Sequence, residues 1–147
     1  MIINKQVGVF LNLVHCKFKQ YVNTIFNSHG FNLTAEQFLV MDTLWDEGVM
    51  SQQQIADTIL KDKNSVTKLI DALEKKGLVE RVAGQSDKRQ NLIHLTARAV
   101  EIKEAITQVA IDTTDRIIKD IPKEDLVNFV KVLNKMAENI DSLEKKL

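Results

Sequence analysis

A mostly helical fold carrying one small β-hairpin is what this sequence predicts, and three observations lead there. Only one proline and five glycines occur in 147 residues, and so few breakers favour long helices over a turn-rich β fold. Apolar side chains recur at steps of three and four through most of the chain, the spacing of one helix face. The exception is a pair of short β-prone segments, LVERV and NLIHL, on either side of the polar stretch AGQSDKRQ. These read as two strands joined by a polar tip.

The elements follow in order. Residues 5–28 place Val7, Phe10, Leu11, Val14, Phe18, Tyr21, Val22 and Ile25 on one face of a helix that Gly30 ends. In LTAEQFLVMDTLW, Thr34 is set as an N-cap and Gln37 completes a capping box. Gly48 closes that helix, and SQQQIADTI repeats the device with Ser51 and Gln54. After LKDKNS interrupts, Asp62 caps KNSVTKLIDALEKK and Gly77 stops it. The hairpin follows. Thr96 then caps a helix to about Lys119, with Ala99, Ile102, Ile106, Val109, Thr113 and Ile117 inward. Pro122 fits the first turn of a last helix. Its Leu126, Phe129, Val130, Leu133, Met136, Ala137, Ile140 and Leu143 keep a near-heptad rhythm.

Three short helices and a hairpin over residues 34–96 form the layout of a winged helix-turn-helix, the segment expected to bind DNA. The flanks, residues 1–33 and 97–147, carry helices too long for so small a core to cover. Their apolar stripes are expected to pack together and against a second copy, as dimerisation helices.

The formal net charge is zero, but its distribution is uneven. Residues 61–98 hold nine Lys and Arg against five Asp and Glu, a net +4 that leaves −4 for the remainder. Such a dipolar layout suits a protein with one basic face for a polyanion. On the helix that starts at Lys63, Val66, Leu69, Ile70 and Leu73 turn inward against Ile55 and Ala56. The opposite face shows Lys63, Asn64, Ser65, Thr67, Lys68 and Asp71, short polar groups and lysines suited to base edges and phosphates. Any solvated helix has a polar face, so the hairpin adds weight. Lys88 and Arg89 lie at its tip, where a guanidinium can enter a narrow minor groove. Asp87 is expected to pair with Arg81 across the hairpin and fix the tip's shape.

Taken in order and spacing, LTAEQFLVMDTLW, QQIADTI, KNSVTKLIDALEKKGLVER and SDKRQNLIHLT resemble the MarR family of bacterial transcription regulators, over most of residues 30–100. The helical flanks agree in pattern only. The resemblance implies an obligate homodimer that binds a pseudo-palindromic operator in double-stranded DNA, as a repressor in the first reading. The recognition helix would lie in the major groove and the wing in the minor groove. It also implies release of DNA on binding a small, often aromatic or phenolic, effector. By the same resemblance Asn64, Ser65, Thr67 and Lys68 fall on the base- and phosphate-contacting turn. Arg89 falls on the wing arginine, Asp87 on the acid that braces the wing, and Ser51 at the start of the helix that leans on the DNA backbone. The sequence departs at Leu60, where the family often has a turn glycine, at Lys61, usually apolar, at Lys88, commonly arginine, and at Ala99, frequently glycine.

Other chemistries find less support. An effector pocket between the first helix and the winged lobe would draw on Phe10, His15, Phe18, Phe38, Met41 and Trp45, which also read as ordinary core. Cys16 reads as a small filler residue rather than a redox switch. His15, His29 and His94 are scattered without carboxylates or thiols at ligand spacing, so no metal and no cofactor is expected. No phosphate loop, nucleophile elbow or paired catalytic carboxylates point to an enzyme. One cysteine, no signal peptide and no run near about 20 apolar residues make a cytoplasmic protein without a membrane span the expectation. A second reading, a dimeric winged-helix protein-interaction module without specific DNA binding, rests on the zero net charge.

Overall fold

The computed structural model describes residues 2–84 and 90–147. In chain order the elements are α1 (Ile3–Ser28), α2 (Ala35–Glu47), β1 (Met50–Ser51), α3 (Gln52–Ile59), α4 (Lys63–Lys75), β2 (Val79–Ala83), β3 (Asn91–Leu95), α5 (Ala97–Ile117) and α6 (Lys123–Glu144). They form two compact units, residues 1–113 and 114–147.

The first unit is built on its caps. Thr34 and Ser51 both form reciprocal capping boxes. The Gln37 and Gln54 amides donate to the two hydroxyls at 3.1 Å each, and the glutamine side chains accept from the cap amides at 3.1 and 2.8 Å. Thr96 accepts from the Ala99 amide at 3.3 Å to start α5, while its own hydroxyl donates to the Gly77 carbonyl at 2.7 Å. The core within these ends is Val40, Met41 and Leu44 of α2, Ile55 and Ala56 of α3, Val66, Ile70 and Leu73 of α4, and Val79 and Ile93 of the sheet, with Ala99 and Ile106 of α5.

One expectation changes here. The hairpin is part of a three-stranded antiparallel sheet in the order β1-β3-β2, with Met50 opposite Ile93 and Ser51 opposite Leu92. Two residues of strand leave no periodicity to read, and their pairing is non-local. On α1, only Val22 and Phe26 are buried, and the stripe from Val7 to Phe18 is exposed. Phe26, one step beyond the expected face, is the anchor: its ring meets Phe38 edge-on at 5.2 Å and Phe31 at 6.5 Å between centres.

The helix-turn-helix turn places Leu60 in the left-handed region, φ 56° and ψ 45°, with its side chain 90% exposed. Gly48 and Gly77, at φ 80° and 72°, end α2 and α4 in similar positive-φ backbone. Leucine at such a position carries a Cβ clash that glycine avoids.

The second unit holds the last turn of α5 and all of α6. The helix α5 ends at Ile117, slightly short of Lys119, before a turn with Asp120 at φ 64°. Pro122 is the N-cap of α6 rather than a first-turn residue. No residue of α6 is buried, and Phe129, Val130, Val132, Ile140 and Leu143 are exposed apolar groups.

Candidate nucleic-acid interface

The N-termini of α3 and α4 and the base of the wing enclose an open groove of about 620 Å³. Ser51, Gln52, Gln53, Lys63, Thr67, Arg81, Gln90 and Asn91 line it. Every one of these residues is polar or basic, so the groove offers donors to an anionic or hydrogen-bonding partner. On α4, Lys63, Asn64 and Lys68 are exposed, while Ser65 and Thr67 are half-buried.

The α4 N-terminus is shaped from within. Asp62 accepts from the Ser65 amide through Oδ1 and from the Ser65 hydroxyl through Oδ2, both at 2.8 Å. Those bonds, the backbone one first, hold the Asp62 carboxyl below the usual carboxylate range. A carboxylate at this position also complements the positive end of the helix. The Thr67 hydroxyl donates to the Lys63 carbonyl at 3.0 Å and accepts from Gln52 Nε2 at 3.2 Å. Ser65 and Thr67 are therefore engaged inside the lobe.

Arg81 on β2 joins the wing to both helices. Its guanidinium meets Asp71 at 2.6 Å and Glu74 at 3.0 Å on α4, and Nε donates to Gln52 Oε1 on α3 at 3.0 Å. The Arg81 amide also donates to Glu74 at 3.3 Å. With its side chain only 19% exposed, this arginine is a fixed clamp. Its planar fork of donors suits several acceptors at once. The sequence reading placed Arg81 opposite Asp87; Asp87, like Lys88 and Arg89, lies outside the described residues. Gln52, Asp71 and Glu74 were missed as a set. The legible signal was two acids three apart on α4, one helical step, ahead of an arginine on the following strand.

Ser51 lines the groove but is 1% exposed, with its hydroxyl held in the α3 cap, and Gln52 and Gln53 beside it present freer polar groups. Of the six residues expected to line an effector pocket, Phe38, Met41 and Trp45 gather at the core cluster, whereas the three on α1 do not join it. Phe10, His15 and Phe18 are exposed on α1, and Met41 is fully buried. Phe38 and Trp45 pack edge-on at 6.1 Å, with the Trp45 indole donating to the Ala99 carbonyl at 3.2 Å. Cys16 is exposed and fills no core. Lys61, an unexpected charge in the turn, reaches Glu36 at 3.5 Å, and Glu36 also pairs with Lys19 of α1. The hydrogen bond from Lys19 is the main reason the Glu36 carboxyl lies below its ordinary range. Among the described residues no cluster of three or more His, Cys, Asp or Glu stands ready for a metal. No described helix is long and apolar enough to cross a membrane.

Comparison with known proteins places this geometry. Residues 33–90 match the model of the MarR family. The HTH-type transcriptional regulator MhqR of Bacillus subtilis is 25% identical over 138 residues, covering 94% of each chain. The HTH-type transcriptional regulator MgrA of Staphylococcus aureus is 25% identical over 130 residues, 87% of this chain and 84% of its own length. Among solved structures, a cysteine-to-serine mutant of MarR from E. coli complexed with operator DNA superposes with a TM-score of 0.82 at 23% identity. That match covers 89% of this chain and 93% of the other, and it shows the shared fold. The segment that carries both capping boxes, the turn at Leu60 and the clamp at Arg81 is thus the one that matches the MarR family.

Proposed function

We propose that the protein is a sequence-specific DNA-binding transcription regulator, a repressor that reads a pseudo-palindromic operator as a homodimer. The observation that carries this reading is the groove at the start of α4, lined only by polar and basic groups and stiffened by Arg81. The names of the relatives, both HTH-type transcriptional regulators, and the operator complex of the structural neighbour support it. In this reading α4 enters the major groove. Lys63 and Lys68 take phosphates, and Asn64 reaches a base edge. Ser65 and Thr67 set the backbone that carries them, and Lys88 and Arg89 serve the minor groove. Residues 34–96 are the DNA-binding segment. Residues 1–33 and 97–147 dimerise through the apolar stripes of α1 and α6 and set the recognition helices about 34–36 Å apart. A small ligand weakens the complex. A cytoplasmic, non-enzymatic role follows from the same reading.

The test is fluorescence anisotropy over a salt series, with a duplex from upstream of the protein's own gene and a scrambled duplex of equal length. Tight, salt-dependent binding to the first alone supports the proposal, with Arg89→Ala lowering the salt slope by about one. Equal weak binding to both, indifferent to Arg89, favours the interaction module instead.

A further inference from the structure

The hydrogen bonds that cross the groove run in one direction. Arg81 has donors and no acceptor, so its Nε–H, 3.0 Å from Gln52, fixes Oε1 as the atom that faces it. The Gln52 amide is thereby turned so that Nε2 donates to the Thr67 hydroxyl at 3.2 Å. That hydroxyl has a single proton, and the Lys63 carbonyl takes it at 3.0 Å. From the wing through α3 to α4, each bond of the chain points the same way. Thr67 therefore has no proton to offer a phosphate, guanine O6 or N7, or thymine O4. Ser65 is committed likewise, its hydroxyl proton lying on Asp62 Oδ2 at 2.8 Å.

What Thr67 keeps for the groove is its methyl. The residue is half-buried and lines the groove. A helical threonine divides between two χ1 settings, and the bonds to Gln52 and to the Lys63 carbonyl together select one. They hold the oxygen toward α3 and the preceding turn of α4, which leaves the other branch of Cβ for the open side. On the polar face of α4, which shows Lys63, Asn64, Ser65, Thr67, Lys68 and Asp71, only the threonine carries a methyl. In the major groove thymine alone exposes a methyl of its own, and an apolar contact recognises it.

We propose that Thr67 is a specificity-determining residue that reads a thymine by methyl-to-methyl contact, with Gln52 as the positioning residue that holds it in that setting. The inference rests on the operator reading of α4 and adds the base selected there: each half-site carries a thymine recognised by its methyl and not by a hydrogen bond.

The test enriches bound duplexes from a random pool with the full-length protein. Each thymine of the enriched sequence is then replaced, one position at a time, by deoxyuridine, which keeps the hydrogen-bonding groups of thymine and lacks only the methyl. One thymine in each half-site is expected to be sensitive, its uracil form binding about three- to tenfold more weakly in fluorescence anisotropy at constant salt. Thr67→Ser keeps the hydroxyl and deletes the methyl, so it should bind the thymine and uracil forms of that position alike. Gln52→Ala frees the second χ1 setting and should lower the same thymine-to-uracil ratio, whereas a general loosening of the lobe would weaken both forms equally. No sensitive thymine, or a sensitivity that survives Thr67→Ser, overturns the proposal and leaves the operator reading standing. An unchanged ratio in Gln52→Ala overturns the role given to Gln52. A pool from which no sequence is enriched overturns both the proposal and the operator reading.

Discussion

The winged lobe from Leu33 to Leu95 and the helices α1 and α6 share the same three-and-four spacing of apolar residues, but they cover it differently. In the lobe, the apolar faces of α2, α3 and α4 close on one another and on the sheet around Met41, Ile55, Ile70 and Ile93, all fully buried. On α1, burial begins only at Val22, and on α6 it never begins. Periodicity states which face of a helix prefers to leave water; it does not state what will cover it. A short stripe flanked by caps and turns folds back on its neighbours. A stripe on a helix more than twenty residues long outruns any partner a lobe this small can offer.

The sharpest way to break that contrast is to truncate one aromatic ring in each region. Phe26→Ala removes a fully buried side chain and is expected to cost about 3–5 kcal/mol of unfolding free energy, measured by urea denaturation. Phe10→Ala, at a site 48% exposed on the same helix, is expected to stay within about 0.5 kcal/mol under dilute conditions. Its effect should appear instead as a weaker self-association in sedimentation equilibrium. Comparable losses at both positions would erase the distinction between the two halves of α1.

Within the lobe, Arg81→Met tests whether the clamp carries weight that local packing does not. Loss of its bonds to Asp71, Glu74 and Gln52 is expected to cost about 1–3 kcal/mol, moderated because both carboxylates can return to water. Urea denaturation reads the stability, and anisotropy should show weaker binding to operator and scrambled DNA alike.

In the opposite direction, Leu60→Gly relieves a left-handed residue whose side chain is 90% exposed. The variant is expected to gain about 0.5–1 kcal/mol, read as a higher Tm, since relief of the Cβ clash outweighs the added chain entropy of glycine. A lower Tm would mean that the leucine makes a contact that outweighs its backbone cost.

The smallest effect is one of pH. Glu36 and Asp62 have folded-state carboxyls held below their ordinary values, by the Lys19 hydrogen bond and by the Ser65 bonds respectively. Groups shifted down contribute stability that is full above the unfolded value, near 4, and is lost as pH falls through the lowered folded value. Wild-type stability should therefore decline in acid below that point. Glu36→Gln should decline less steeply in the same denaturation series, and an identical slope would remove Glu36 from the account.

The features that were legible in the sequence are those with a local physical cause. Thr34, Ser51 and Asp62 announced three helix starts because a cap needs only a hydroxyl or carboxylate within three residues of the amide it satisfies. Leu60 drew notice as a leucine where a turn glycine is frequent, and its left-handed backbone explains that preference. What escaped was assembled from a distance. The partners of Arg81 come from two helices, α3 and α4, and each taken alone is an ordinary surface polar residue. Ser51 was legible as the cap of α3, but the pairing with β3 that puts it inside is non-local. Phe26 fell one step off the expected stripe because the cluster it joins, with Phe31 and Phe38, belongs to the turn after α1 and to α2.

The pairing of Met50 and Ser51 with β3 bears on the order in which the molecule folds. The residue that caps α3 is also a rung of the sheet, and its partner Leu92 lies far along the chain, beyond α4 and β2. Contacts of such separation form late, after loop closure has been overcome. The first helix of the helix-turn-helix therefore acquires its fixed starting point only when the wing has folded back. In hydrogen exchange, the amides at the start of α3 should open together with those of β3 rather than with the rest of their own helix.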